Sequence, residues 1–262
     1  MAYSQTSDFE SGDEYFLKKD YANAALEYEK IFFYGPCAEI QNQALLKKAL
    51  AYKEDKKYLL SAQTLQRIPL YSITLREKDS LYYEILLCSY LADNFLFAKQ
   101  VIINMDLEVK QNPSNQLLLM QILIYNELSE YDSAYTCVLQ YKNTAKNLNA
   151  KDKYLLDSLY NYIPKTKSTQ KAKLLSIFPG LGHIYAGYWF EGICAFTINA
   201  GVLGFGVYEF LQTNYLTAWL GGAGLLSATY SGQQKRAIYL VEKHNYIKHK
   251  EFNTAVKQIL LK

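Results

Sequence analysis

Residues 12–36, GDEYFLKKDYANAALEYEKIFFYGP, contain the pattern that decides the fold of this 262-residue chain. The aromatic residue Tyr21 is followed three residues later by Ala24, and Tyr28 comes four residues after that. Apolar residues at this spacing are typical of one face of an α-helix. The pattern occurs three more times, with leading aromatics 37, 37 and 36 residues apart, as Tyr58, Ser61, Leu65; Phe95, Ala98, Ile102; and Tyr131, Ala134, Val138.

A second helical pattern lies upstream of each of these four segments: Gly12 with Tyr15, Ala49 with Tyr52, Leu86 with Ser89, and Ile122 with Tyr125. Short polar turns separate the two helices of each repeat, at residues 18–20, 54–57, 92–94 and 129–130. The alanine or serine lets two helices cross closely because it adds little volume at the contact. One hairpin cannot bury its own apolar face, so we expect the four hairpins to stack.

Residues 6–145 resemble the tetratricopeptide repeat (TPR) family. Later repeats depart from the family pattern: Ser89 stands where a tyrosine is usual, and the repeats are about two or three residues longer than the common length. The resemblance implies a TPR-like helical-hairpin solenoid, capped by a further helix at residues 151–160, and the alternative is an unrelated helical bundle. The first repeat matches best, with Gly12, Tyr15, Tyr21, Ala24, Tyr28, Ile31 and Pro36 at the family's spaced positions.

The resemblance also implies that the first helix of each repeat lines a concave face that binds peptides or protein surfaces. This face is apolar and aromatic, so we expect it to accept a hydrophobic helix or to pack on a partner protein. The alternative is that several of its residues belong to the hydrophobic core. The predicted protein-binding residues are Phe9, Asp13, Phe16, Leu46, Lys47, Leu50, Tyr83, Leu87, Tyr90, Leu119, Leu123 and Asn126.

The composition changes after residue 162, where a basic linker at residues 163–173 precedes two apolar runs. The first run, residues 192–211, has 20 residues, which is about the length that crosses the hydrocarbon core of a membrane. The second run, residues 216–230, is shorter, and a polar turn at residues 212–215 joins the two. Small residues in both runs would let two helix backbones approach closely in lipid. This segment predicts a membrane hairpin, and the alternative is a buried helical hairpin in a soluble protein.

Ser176 and the residues Pro179-Gly180-x-Gly182-His183-x-Tyr185-x-Gly187 resemble a motif of small bacterial membrane proteins related to the TM2 domain, in which glutamine is usual where His183 stands. Pro179 and the glycines permit a chain break, so residues 174–178 are expected to form a short half-helix. His183 is either a local pH-responsive group or a hydrogen-bonded structural histidine. We expect Asn199 to make an interhelical hydrogen bond and Glu209 to lie near the membrane interface. The predicted membrane-motif residues are Pro179, Gly180, Gly182, His183, Tyr185, Gly187, Asn199 and Glu209.

Apolar residues recur at spacings of three and four after Gly232, which predicts an amphipathic helix that lies on anionic headgroups or docks on the repeats. The chain is therefore predicted to be all-α. Its predicted segments are a TPR-like repeat domain at 1–162, a basic linker at 163–173, a transmembrane helical hairpin at 174–232 and a C-terminal amphipathic helix at 233–262.

The residue types that perform enzyme chemistry are few in this chain. Its four cysteines form no C-x-x-C pair, and no catalytic, nucleotide-binding or zinc-binding motif accompanies its three histidines. The net charge of +3 is too small to argue for nucleic-acid binding. We therefore expect a non-enzymatic protein without cofactor or metal. The 25 tyrosines divide between repeat positions and the edges of the apolar runs.

The predicted function is that of a membrane-anchored TPR adaptor or scaffold, a subunit of a bacterial envelope assembly or transport complex. The alternative is a small transport or channel-like module with His183, Asn199 and Glu209 in its path. Small residues at positions 2 and 4 fit a signal-peptidase site, which favours a periplasmic repeat domain. Basic residues on both flanks of the hairpin instead favour the cytoplasm. Of the two, we expect the periplasmic location.

Overall fold

The computed structural model describes residues 9–145 and 148–261, and every regular element in these ranges is helical. The proposed signal-peptidase positions at residues 2 and 4 lie outside the described residues. The chain forms two compact units: the first contains Met1–Asn161 together with Val256–Lys262, and the second contains Tyr162–Ala255. The all-α prediction is confirmed.

The first unit consists of helices that pack in chain order, each against the next long helix along the chain. The helix α7 is a short insertion that packs against α5, and a single 3₁₀ turn at Leu70–Ser72 precedes α5. The helices are α1 (Glu10–Leu17), α2 (Tyr21–Tyr34), α3 (Ala38–Glu54), α4 (Tyr58–Leu65), α5 (Leu75–Leu91), α6 (Phe95–Ile103), α7 (Leu107–Gln111), α8 (Asn115–Glu127), α9 (Tyr131–Thr144) and α10 (Ala150–Asn161).

The second helix of each hairpin begins at the aromatic residue that leads the sequence pattern. Two of these helices have a side-chain cap, because Asp20 and Asn94 accept hydrogen bonds from the backbone of their first turns. The small residue three positions into each helix is buried: Ala24, Ala98 and Ala134 are fully covered, and Ser61 is 1% exposed. These residues therefore lie at the close helix contacts that the spacing predicts.

The second unit begins with three helices around the glycine-rich motif, α11 (Thr169–Leu175), α12 (Leu181–Ala186) and α13 (Trp189–Leu211). Ser168 caps α11 by accepting a hydrogen bond from the Lys171 amide, so this helix starts inside the stretch expected to be a linker. The half-helix therefore covers residues 169–175, whereas residues 174–178 were expected.

The second apolar run does not form a helix of its own. It contains the short helix α14 (Tyr215–Thr217), a π-helical segment at Ala218–Gly224, and the start of α15 (Leu225–Leu260). The 36-residue helix α15 continues through the boundary expected after residue 232 and ends in residues that belong to the first unit. No proline interrupts it, and Gly232 alone costs a helix only about 1 kcal/mol.

Candidate functional site: the first-helix face and the apolar hairpin

The predicted protein-binding residues lie on α1, α3, α5 and α8 or at their ends, which are the first helices of the four hairpins. We call this surface the first-helix face. Its residues fall into three groups, namely those that bind one another, those that belong to the core, and those that are open to solvent.

Phe9, Asp13 and Lys47 bind one another, together with Tyr28. The Lys47 ammonium lies 2.7 Å from both carboxylate oxygens of Asp13 and 5.2 Å from the centroid of the Phe9 ring. The Tyr28 hydroxyl donates to Asp13 at 2.6 Å. Burial, with the Asp13 carboxylate as a further cause, raises the pKa of Tyr28. This cluster joins the first repeat to the second.

The open part of the face lies between α3 and α5. Leu46 and Leu50 are 50% and 45% exposed, and Leu46 lines a groove of about 810 Å³. Ile73 and Leu81 contribute further apolar surface to this groove, and Arg76 is one of the charged residues that line it. Phe16, at the end of α1, is half-buried and forms an edge-to-face contact with Tyr21, at 5.4 Å between centroids.

Most face residues of α5 and α8 belong to the core of the first unit. Tyr83, Leu87 and Leu119 are half-buried and pack against that core. Leu123 and Asn126 are buried, with 5% and 2% exposure, and present no surface to a partner. The physical reason is that α5 and α8 pack against each other as well as against the second helices of their own hairpins, so little of either helix is left open.

Tyr90 of α5 binds two residues that the sequence analysis did not select, Glu127 and Lys257. Its hydroxyl donates to Glu127 at 3.1 Å, and the Lys257 ammonium lies 5.1 Å from the Tyr90 ring centroid and 2.7 Å from Glu127. Burial alone would lower the pKa of Lys257, but its hydrogen bonds with Glu127 and Tyr90 raise that pKa above its usual value. Next to this group, the Tyr160 hydroxyl donates to Asn126 at 2.9 Å.

A partial signal for Glu127 is its position at the end of the first helix of the fourth hairpin, directly after the predicted residue Asn126. Asn126 is the repeat equivalent of Tyr90, because each lies five residues before its leading aromatic, Tyr131 or Phe95. Nothing in the local sequence points to Lys257, which is 130 residues from Glu127.

The glycine-rich motif of the second unit is a tight packing arrangement. Gly180 has a φ of +89°, and a Cβ there would lie 2.2 Å from the carbonyl oxygen of Gly192, so only glycine fits. A Cβ on Gly182 would lie 2.0 Å from the Ser176 hydroxyl and 2.9 Å from Cβ of Ala237. The motif thus brings α11, α12, α13 and α15 together.

The other motif residues lie within α12 or at its ends. Pro179 lies in the turn before it, and Gly187, with a φ of +100°, ends it. The Tyr185 hydroxyl accepts a hydrogen bond from the Ser168 amide at 3.0 Å. His183 is 3% exposed, and among the described residues its Nδ1 has no hydrogen-bond partner.

The three polar residues of the predicted channel path have separate neighbours. Asn199 accepts a hydrogen bond from the Thr229 hydroxyl at 3.1 Å, which is the expected interhelical hydrogen bond, and its amide donates to the Ala195 carbonyl. Glu209 accepts from the Asn214 amide at 2.9 Å in the turn between the apolar runs. None of these hydrogen bonds joins Asn199 to Glu209, and none joins either residue to His183.

The outer surface of α13 is apolar and exposed. The side chains of Phe196, Leu203 and Phe210 are 60%, 54% and 59% exposed, and an apolar groove of about 570 Å³ runs between α13 and the π-helical segment. By length and composition, α13 is the one helix in the part of the chain that the structure describes that could cross a membrane. Its most apolar 18-residue window has a mean hydropathy of 1.5 and is 17% buried.

Comparison of the chain with protein-family models, with curated proteins and with solved structures finds no match.

Proposed function

We propose that this chain is a non-enzymatic, membrane-anchored adaptor of the TPR type, and a subunit of a protein assembly in a bacterial envelope. The first unit binds a partner protein through the first-helix face. The second unit inserts its apolar hairpin into the lipid bilayer or packs it on a membrane protein.

The exposed apolar surface of α13 is the observation that carries the proposal. Soluble monomeric proteins rarely expose contiguous apolar patches larger than a few hundred Å². On α13 the exposed large apolar residues occur around the helix and along its whole length, from Trp189 to Leu211. Contact with lipid or with another apolar helix would remove this surface from water at about 25 cal/mol per Å².

The groove between α3 and α5 supports protein binding by the first unit. It combines the exposed side chain of Leu46 with charged residues at its edge, including Glu39 and Glu77. An apolar floor with a charged edge suits an amphipathic helix, whose apolar face fills the groove while its polar face stays in water. The separate hydrogen-bond partners of Asn199 and Glu209 favour this function over a channel-like module.

Purification of the native chain in detergent tests the adaptor function. We expect a stoichiometric partner to co-elute with the wild-type chain and to be lost from a Leu46→Asp/Leu50→Asp variant. The matched control is Leu26→Asp/Leu96→Asp, which places the same charges at exposed leucines on second helices, 60% and 74% exposed. Loss of the partner from both variants, or no partner with the wild type, would contradict the proposal.

Reporter fusions test the location of the first unit, which we place in the periplasm. Alkaline phosphatase, active only after export, and a green fluorescent protein, fluorescent in the cytoplasm, are each fused behind residue 262. A membrane hairpin leaves the segments before and after it on the same side of the membrane, so a reporter behind residue 262 also reports the side of the first unit. For a periplasmic first unit we expect phosphatase activity. Fluorescence without phosphatase activity would show that the periplasmic placement is wrong.

A further inference from the structure

The last residues of α15 lie within the first compact unit and are largely buried there. Val256, Ile259 and Leu260 are 0%, 8% and 3% exposed, and their spacing of three and four places them on one side of the helix. Lys257, next to Val256, is 32% exposed and reaches the first-helix face. The chain thus places an amphipathic helical segment, residues 256–261, on its own first unit.

Lys257 is held by a site that we call the lysine clamp, formed by Tyr90 and Glu127. The ammonium lies 2.7 Å from a carboxylate oxygen of Glu127 and faces the Tyr90 ring, while the Tyr90 hydroxyl hydrogen-bonds the same carboxylate. A partly buried ammonium gains from both the carboxylate and the negative face of the ring.

A similar contact occurs at the first two repeats, where a lysine is again held by a carboxylate and aromatic rings. There Lys47 lies between the carboxylate of Asp13 and the rings of Phe9 and Tyr28, and the Tyr28 hydroxyl donates to Asp13. The difference lies in the origin of the lysine. Lys47 comes from the neighbouring hairpin, whereas Lys257 comes from the far end of the chain and is not part of any repeat.

We propose that residues 256–261 are an intramolecular ligand of the lysine clamp. We further propose that the adaptor's partner, besides filling the groove between α3 and α5, carries an amphipathic helix that replaces this segment at the clamp. The partner helix carries a lysine preceded by one apolar residue and followed by apolar residues two and three positions later, as Lys257 is by Ile259 and Leu260. This inference rests on the proposed adaptor function. A tethered segment acts at an effective concentration of roughly millimolar, so a segment whose own dissociation constant is about 0.1 mM or lower weakens partner binding at least about tenfold.

Competition with a fluorescent peptide of residues 249–262 tests the inference on the full-length chain in detergent. A release variant, Val256→Asp/Leu260→Asp, detaches the segment, and a control variant, Thr254→Asp/Gln258→Asp, places the same charges on the exposed side of the helix. We expect the release variant to bind the peptide at least tenfold more tightly than the wild type, and the control to match the wild type. Equal affinity for all three chains would overturn the inference.

A charge exchange identifies the clamp as the binding site. Glu127→Lys in the release variant should abolish peptide binding, and a peptide with Lys257→Glu should restore it. Circular dichroism shows whether the release variant folds. If it does not, the single variant Lys257→Glu takes its place, and we again expect this variant to bind the wild-type peptide more tightly than the wild-type chain does. Failure of the charge exchange to restore binding counts against the clamp.

The outcomes separate this inference from the adaptor function. A stoichiometric partner from the native chain, with no peptide binding by the release variant, refutes self-occupancy and leaves the adaptor function standing. Tight peptide binding by the release variant, with no partner recovered from either chain, refutes the adaptor function and leaves the self-occupied clamp.

Discussion

Each turn between the two helices of a hairpin places one residue in the left-handed region of the backbone. These residues are Lys19, Lys56, Asp93 and Ser129, with φ between 52° and 61°. The amide of the following residue closes the helix end, for example from Lys57 to the Tyr52 carbonyl at 2.8 Å. This is the usual C-terminal helix cap, in which glycine is preferred.

We predict that Lys56→Gly stabilises the first unit by about 0.5 kcal/mol, because the cost of left-handed backbone with a Cβ exceeds the entropy that glycine adds to the unfolded state. Urea unfolding followed by circular dichroism measures the change. The matched control is Glu54→Gly in the last turn of α3, where the backbone is right-handed and glycine should destabilise by up to about 1 kcal/mol. A destabilised Lys56→Gly chain would show that the turn does not favour glycine.

Glu29 receives hydrogen bonds from two cations, Lys48 at 2.6 Å and Arg67 at 2.8 and 2.9 Å. Burial alone would raise the pKa of Glu29, but the hydrogen bonds from Arg67 and Lys48 outweigh it and lower the pKa. Because the folded-state pKa lies below the unfolded one, this carboxylate contributes stability above the unfolded pKa, near 4.5. That contribution is lost as the pH falls through the folded-state pKa.

We predict that Glu29→Gln lowers the urea midpoint of the first unit at pH 7 and that this difference shrinks as the pH is lowered below about 4.5. Glu54→Gln, at an exposed position, provides the control and should change the midpoint little at either pH. A difference for Glu29→Gln that stays constant down to pH 3 would show that its charge is not what stabilises the fold.

At the scale of elements, the hairpin of the second unit contains a close backbone contact between two glycines. A Cβ on Gly222 would lie 2.6 Å from Cα of Gly206, and a Cβ on Gly206 would lie 2.9 Å from Cα of Gly222. Gly222 belongs to the π-helical segment, and π-helical turns are rare in proteins. Small residues at such contacts allow helices to approach in lipid as well as in water.

We predict that Gly222→Ala destabilises the helix pair by about 1–3 kcal/mol, since an added methyl group can be accommodated only by moving a backbone. The thermal unfolding midpoint in detergent should fall. Gly204→Ala is the matched control on α13, because nothing lies within 4 Å of a Cβ at that position. Equal midpoints for the two variants would mean that the glycine contact does not hold the pair together.

At the scale of the whole molecule, the two units differ in what they expose. The first unit has its exposed leucines scattered over several helices, such as Leu17, Leu26 and Leu96. The second unit has most of its exposed large apolar residues on α13 and the segment that follows it. A clustered apolar surface, unlike single exposed leucines, indicates a binding partner or a membrane.

We predict that Phe196→Asp/Leu203→Asp/Phe210→Asp on α13 removes the chain from the membrane fraction, because an aspartate at the helix centre, as at Leu203, costs about 3 kcal/mol on insertion and the two others add smaller costs. Fractionation at alkaline pH with sodium carbonate measures the retained share. In the control, Leu17, Leu26 and Leu96 are changed to aspartate, and this chain should stay in the membrane. Extraction of the wild-type chain by carbonate would contradict insertion of α13.

The sequence by itself determined the two helices of each of the four hairpins and the small residues buried between them, but it did not predict the inserted helix α7. Helix periodicity, turn residues and small contact residues are local properties, so Tyr21 and its three counterparts could be identified as helix starts from spacing alone. The continuity of α15 and the early start of α11 could not be predicted from that spacing, because an apolar pattern specifies the face of a helix better than its ends.

Only the tertiary structure decided which residues of the first-helix face are available to a partner. Asp13 is bound to Lys47 and Tyr28, whereas Leu46 is open, although both lie on first helices. Lys257 reaches Glu127 because the chain returns to its first unit after passing through the second. Contacts over 130 residues depend on where packing brings the chain back, and the periodicity of a single helix carries no information about that position.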